Sequence, residues 1–168
     1  MVTTPEDLNR APATTEVSAT TTASAAALWD LISVPANLVP FSEELQAIRP
    51  LGPVGLGATF DGDNGGRSMT WTTTSTVTSF EPLTRFSWTV GDLDAPVSIW
   101  TFTITDLGTE RVLTESCSLY GNPSGLTAAM KRDPDRADAI IAFRLGALRA
   151  NMERTVVGLC ELAATHAS

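Results

Sequence analysis

The segment SMTWTTTSTVTSF, residues 68–80, alternates with period two. Met69, Trp71, Thr73, Ser75 and Val77 fall on one face, and the threonines at 70, 72, 74, 76 and 78 fall on the other. Successive side chains of a strand point to opposite sides, and β-branched residues favour that conformation. The segment therefore predicts a strand with a hydrated threonine face and an interior face of Met, Trp and Val. The same pattern continues downstream. After a turn at Glu81-Pro82-Leu83-Thr84, Phe86, Trp88 and Val90 extend an interior face. After a second turn over residues 91–96 come Trp100, Phe102 and Ile104, with Thr101, Thr103 and Thr105 opposed, and a turn at 106–109 feeds a last strand at 111–120. Upstream, residues 58–63 read as a strand, and Asn64-Gly65-Gly66 has the residue types of a tight hairpin turn with positive φ. The glycines of GPVGLG, residues 52–57, lead into this strand and not into a helix, so they predict a turn and not a phosphate cradle.

The period then changes. Over residues 134–164, Ile141, Leu145, Leu148, Met152, Val156, Leu159 and Leu162 recur in steps of three and four, which predicts one long amphipathic helix. Before the meander, residues 16–21 alternate as a first strand. In residues 24–33 the alanines favour helix, Ser24 is a candidate N-cap, and Leu28, Leu31 and Ile32 share a stripe. Pro35 ends that helix, and a short second helical turn is expected at 36–39 before Pro40. An antiparallel meander closed by one long helix is an α+β architecture. It predicts a curved sheet wrapped around the C-terminal helix, two short helices after the first strand, and space between sheet and helix for a small apolar molecule. Residues 1–13, polar and interrupted by Pro5 and Pro12, are expected to form a flexible tail, and 14–168 a single domain.

The last strand has two possible registers. Either Leu113, Glu115, Cys117 and Leu119 face inward, or Val112, Thr114, Ser116 and Ser118 do. The first set is more apolar and is preferred, which carries Glu115 into the interior.

Composition narrows the partners. A net charge of −8 argues against nucleic acid and anionic membrane surfaces, which need a concentrated basic footprint. The basic residues between Lys131 and Arg154 are interleaved with Asp133, Asp135, Asp138 and Glu153, as on the solvated face of a helix. No run approaches the roughly 18 apolar residues of a membrane span. The N-terminus lacks the basic start and apolar centre of a secretory signal, so a cytoplasmic location is expected, with Cys117 and Cys160 as reduced, buried thiols. A monomer and a homodimer are both compatible with the sequence.

The order strand, helix with Ala27-Leu28-Trp29-Asp30-Leu31, proline-rich connection, meander and long helix resembles the START/Bet v 1-like helix-grip superfamily. Shorter motifs narrow the likeness to its polyketide cyclase/dehydrase and lipid-transport branch. Phe41-Ser42-Glu43-Glu44 is similar to a Trp-Ser-Pro-Glu segment of that branch, with Phe41 in place of Trp and Glu43 in place of Pro. The run from Gly57 to Asn64 resembles its strand ending in Asn, Thr70 to Thr74 its Trp-Thr-Thr segment, and Leu113-Thr114-Glu115-Ser116 its Thr-Glu-Ser run. The resemblance covers roughly residues 14–165 and implies an internal cavity. The branch includes cyclases, aromatases and carriers of lipids and hormones, so the likeness implies no single chemistry.

The residues available for chemistry are few. The single histidine, His166, is at the expected frayed end of the helix, so a nucleophilic triad is not expected. With two distant cysteines and no clustered ligands, neither a metal nor a cofactor is expected. Glu115 on an apolar face would have a raised pKa and could serve as a general acid or base. Its structural alternatives are a carboxylate hydrogen-bonded to Asn64, Thr73 or a helix residue to fix the sheet, or one that simply faces water in the other register. Glu44 and Asn64 are candidates for ligand contact or for loop and turn hydrogen bonding. Arg144 could meet an anionic group on a ligand or pair with Asp135 or Asp138. The aromatic walls would come from Trp71, Trp88, Trp100 and Phe102, at least one of them plain core, with Met69, Thr73, Leu148 and Met152 completing the candidate ligand site. Three functions follow: binding of a small hydrophobic ligand, whether aromatic, polyketide-like or lipid; a cofactor-independent cyclase or dehydratase using Glu115; or a regulatory or toxin-like interaction protein.

Overall fold

Strands β1 (Ala13–Thr21), β2 (Leu45–Pro50), β3 (Thr59–Gly65), β4 (Thr70–Glu81), β5 (Arg85–Gly91), β6 (Pro96–Asp106) and β7 (Arg111–Leu119) form one antiparallel sheet in the order β1-β7-β6-β5-β4-β3-β2. The computed structural model describes residues 1–66 and 68–166, so residue 67 and the last two positions of the expected 14–168 domain lie outside it. From β3 to β7 each strand pairs with the next, as the meander predicts. The chain then returns through helix α4 (Ala137–Thr165), which lies against β1 and β7 and grips the concave side together with α2 (Ala25–Ile32). The architecture is α+β and helix-grip-like.

The interior face is built by the alternation. Trp71, Thr73, Ser75 and Val77 of β4 turn inward to increasing depth, while Thr70, Thr72, Thr74 and Thr78 are exposed. Strict alternation beyond Val77 would place Phe80 with the outer threonines. A bulge between Val77 and Ser79 inserts one residue and returns Phe80 to the core, where its ring meets Trp29 at 5.1 Å and Phe86 at 6.1 Å. In β7 the preferred register is the one adopted, with Leu113, Glu115, Cys117 and Leu119 all buried. From α4, Leu148, Met152, Val156 and Leu159 close the core, and the free thiols Cys117 and Cys160 are both buried.

The structure corrects several expectations. The N-terminal segment is not a flexible tail: Pro5–Arg10 is a helix, α1. Thr4 and Asp7 form a reciprocal capping box, and Leu8 packs into a second cluster with Met130, Ala137 and Ile141. Asn9 Oδ1 accepts a hydrogen bond from Gly121 N at 2.8 Å, and Asp138 Oδ1 accepts one from Thr3 N at 3.0 Å. The closing helix is preceded by a separate one, α3 (Gly125–Arg132), capped by Ser124 and Thr127, and a short 3₁₀ turn at Pro134–Arg136 divides them. Leu162 is 37% exposed, and Cys160 and Ala163 replace it on the buried stripe. The helical turn expected at 36–39 is a longer 3₁₀ helix, Pro35–Phe41, and β2 follows it as an edge strand paired, among the described residues, with β3 alone. Asn64 is not a turn residue. It lies in β3 opposite Trp71, and Gly65 faces Thr70, because the ladder runs two residues further than the turn chemistry suggests. Met69 is not in a strand: it stands in the connection between β3 and β4, 64% exposed. Among the described residues no helix is long and apolar enough to cross a membrane.

Candidate functional site

A cavity of about 110 Å³ lies between the sheet and α4. The sheet supplies an apolar wall. Phe60 (β3), Trp88 and Val90 (β5) and Trp100 (β6) point into it because each occupies the inward parity of its strand. Trp88 and Trp100 are directly cross-strand and stack with ring centres 6.0 Å apart and planes 1° from parallel, which holds both rings rigid. The opposite wall comes from Leu148, Asn151 and Thr155, spaced three and four along α4 and so on one helical face. The 3₁₀ helix and β2 close a third side with Leu38, Leu45 and Ile48. Gly62 leaves room on β3: a β-carbon there would come within 3.3 Å of both Leu45 and Thr73.

The polar groups of the wall have different hydrogen-bond states. Asn64 Nδ2 donates to Gly62 O at 3.0 Å and to Thr73 Oγ1 at 3.4 Å, which fixes the amide against its own strand. Thr155 Oγ1 donates to Asn151 O at 3.0 Å. Glu115 differs. It is 3% exposed, and no described residue hydrogen-bonds its Oε2. Neither Asn64 nor Thr73 satisfies it, so the structural pairing considered from the sequence is not what the fold builds. Burial in apolar surroundings, with no compensating donor, pushes its carboxyl pKa up to about 8. Near neutral pH it is therefore mostly a neutral acid, able to donate one hydrogen bond and accept another. Burial, and then the neighbouring Glu115, raise the Cys117 thiol as well, so that sulfur is inert as a nucleophile.

Beside the cavity is an open cleft of about 510 Å³ lined by Glu43, Glu44, Gln46, Gly65, Gly66, Arg144, Ala147, Leu148, Asn151 and Arg154. Arg144 does not pair with Asp135 or Asp138. It reaches across to Glu44, Nη1 to Oε1 at 2.7 Å and Nη2 to Oε2 at 3.0 Å, a two-pronged ion pair that joins α4 to the strap before β2. Burial opposes the Arg144 charge, the Glu44 bonds favour it, and the balance holds the guanidinium above its ordinary pKa. Asn151 adds a second link: its Oδ1 accepts from Glu43 N and its Nδ2 donates to Ser42 Oγ, both at 3.0 Å.

Of the residues singled out from the sequence, Glu44, Asn64, Thr73, Trp88, Trp100, Glu115 and Leu148 line the cavity, and Arg144 lines the cleft. Met69 and Trp71 are not in its wall, and Phe102 and Met152 lie in the packed core behind it, 0% and 1% exposed. Sequence reasoning missed Ser42, Leu45, Ile48, Phe60, Asn151 and Thr155. Asn151 and Thr155 carried a usable signal, a polar pair within the apolar stripe of α4. Leu45 and Ile48 had none, since β2 was hidden among prolines.

A meander gripping one long helix, with an aromatic-walled cavity between them, defines a helix-grip protein. The chain belongs to the polyketide cyclase/dehydrase and lipid transport family, whose sequence pattern matches residues 12–153. Among solved structures, a polyketide-cyclase-like protein from Corynebacterium glutamicum is similar over 94% of both chains, with 26% identity and a TM-score of 0.66. An aromatase/cyclase from a Streptomyces species matches over 94% of this chain and 96% of its own, at 12% identity and a TM-score of 0.70. A major latex-like protein of Panax ginseng matches over 82% and 96%, at 7% identity and a TM-score of 0.53. These last two likenesses concern the fold alone. A comparison with curated proteins gives no match.

Proposed function

We propose that this protein binds a small, uncharged, largely aromatic or polyketide-like molecule in the cavity between the sheet and α4, with a carbonyl or similar acceptor set against Glu115. The observation that carries this reading is a carboxyl group buried in an aromatic-walled cavity without a protein partner for its Oε2. Leaving a buried polar atom unpaired costs about 1–3 kcal/mol, so a ligand that completes the bond recovers stability that the fold alone forgoes. Trp88, Trp100 and Phe60 supply flat faces for ring contact, and the Glu44–Arg144 pair is already neutralised within itself, so nothing in the cavity calls for an anion. Family membership supports the same reading, since the branch is described by polyketide and lipid chemistry.

The test is titration with 2-acetylnaphthalene, an aromatic ketone without a titratable group, followed by quenching of tryptophan fluorescence. Saturable binding at one site per chain is expected, and Gly62→Ala, which narrows the cavity, should weaken it. Absence of saturable binding by this ketone and by a panel of mono- and bicyclic aromatics would remove the reading.

A second reading is favoured by the same carboxyl. A neutral acid with a pKa near 8 in a largely apolar cavity is suited to protonating a carbonyl oxygen or a departing hydroxyl during aldol closure or water loss, and its conjugate base can take the proton back. On this reading Glu115→Gln abolishes turnover of a poly-β-ketone substrate and leaves its binding nearly intact. Unchanged turnover would remove Glu115 from the chemistry.

A further inference from the structure

The inner cavity, at about 110 Å³, falls well short of the roughly 300–1,000 Å³ of ordinary small-molecule sites. It is smaller even than an engineered cavity of about 150 Å³ that takes up benzene. The cleft beside it, at about 510 Å³, lies within the usual range but is open to solvent and mixes charged side chains with apolar surface. The two spaces have Glu44, Leu148 and Asn151 in common, so these residues are the wall between them. Glu44 is held in that wall by Arg144, which faces the cleft side only.

We propose that the Glu44–Arg144 ion pair is the gate of the cavity, and that a ligand passes from the outer cleft to the inner chamber when this pair parts. The proposal rests on the cavity reading above and adds the route and its control. Three features support it. The pair bridges two elements that share no sheet hydrogen bonds, the strap at residues 42–45 and α4. Both side chains are partly solvated, Arg144 at 36% and Glu44 at 30%, so water can take over their hydrogen bonds when they separate. The backbone beneath stays fixed, because Glu44 O accepts from Gly65 N at 2.9 Å and Ser42 Oγ accepts from Glu44 N and Leu45 N at 3.2 and 2.8 Å. Opening therefore needs two side chains to swing and no strand to detach. With the pair parted, Glu44 leaves the wall and the chamber opens to the cleft beside Leu148 and Asn151, which stay in place, so that a bicyclic molecule can occupy part of both spaces.

The experiment is stopped-flow mixing of the full chain with 2-acetylnaphthalene, read by tryptophan fluorescence. It compares the wild type with Arg144→Met and Glu44→Gln, each checked for a wild-type circular dichroism spectrum. Removing the pair should speed association by about fivefold, the rate equivalent of a partly exposed pair worth about 1 kcal/mol, and tighten Kd by a similar factor, because the bound bicyclic molecule needs the parted pair that the wild type must first break. Raising sodium chloride from 0.05 to 1 M should speed the wild type and leave Arg144→Met unmoved, because salt screens only the intact pair. Should Arg144→Met fold poorly, Arg144→Lys keeps the charge but loses the two-pronged geometry and should give intermediate rates. Equal rates in all chains, insensitive to salt, would overturn the gate while leaving the cavity reading intact. Binding by none of the chains would overturn both, whereas binding by Arg144→Met alone would support the gate.

Discussion

Glu115 reaches the interior because its two neighbours in the alternation, Leu113 and Cys117, are apolar and fully buried, and a strand cannot turn one residue outward without moving the rest. The consequence is a stability that depends on pH. Burial pushes its carboxyl pKa from the ordinary 4.5 up to about 8, so between these values the folded chain holds a proton that the unfolded chain has released. Stability is fully present below about pH 4.5 and falls as pH rises through that window, with a slope of at most about 1.4 kcal/mol per pH unit. Urea unfolding of the wild type and Glu115→Gln from pH 5 to 9 measures this. The two curves should lie close together at pH 5, and the glutamine variant should be the more stable by about 2 kcal/mol or more at pH 9. Parallel curves would mean that Glu115 ionises freely in the fold. Gly158 is a second residue whose identity is dictated by contact. A β-carbon there would lie 2.3 Å from the Phe41 ring, which rests directly on α4 and anchors the end of the 3₁₀ helix. Gly158→Ala should therefore destabilise by about 1–3 kcal/mol despite its gain in helix propensity, and thermal unfolding reads the sign.

At the scale of elements, the parts that were legible in sequence are those whose periodicity is long and uninterrupted. The four strands from 70 to 119 and the stripe of α4 are of this kind, and so is α2, where Ser24 Oγ caps the helix by accepting from Ala27 N at 3.0 Å. The cavity followed from them in part, because Trp88, Trp100, Thr73 and Glu115 inherit their direction from strand parity. What escaped was set by neighbours. Edge strand β2 has no alternation to read: it ends at Pro50 and bulges between Leu45 and Ala47. The bulge in β4 reverses the face of Phe80 with no local signal. Helix α1 is six residues long with one large apolar side chain, too little for a pattern, although Thr4-Pro5-Glu6-Asp7 is a readable helix start. Its stability comes from docking. A β-carbon on Gly121 would overlap Pro5 O, so the helix sits directly on the chain leaving β7. Leu8→Ala should cost about 2–4 kcal/mol in urea unfolding through the lost contact and the cavity left behind. A loss below about 0.5 kcal/mol would mean that α1 does not contribute to the fold in solution.

At the scale of the whole molecule, the fold keeps a fully packed cluster apart from its cavity. The cluster of Leu8, Met130, Ala137 and Ile141 is packed without any of the cavity residues, while the main core leaves its gap where α4 presents Leu148, Asn151 and Thr155 to the sheet. A ligand in that gap stabilises the entire cooperative unit, since it binds the folded chain and not the unfolded one. Saturation at about 100 times Kd adds roughly 2.7 kcal/mol, which for a chain of this size raises Tm by about 5–10 °C. The proton on Glu115 makes this gain depend on pH in a defined direction. A ketone accepts a hydrogen bond only from the neutral acid, so it favours the protonated form, and its affinity should be level below pH 7 and decline above about pH 8. The amide of Glu115→Gln still donates a hydrogen bond but does not titrate. Thermal shifts with 2-acetylnaphthalene should thus be larger at pH 6 than at pH 9 in the wild type and equal at the two pH values in the variant. A wild-type shift that is equal at the two pH values, or that grows toward pH 9, would mean that the ketone does not take its hydrogen bond from the Glu115 carboxyl.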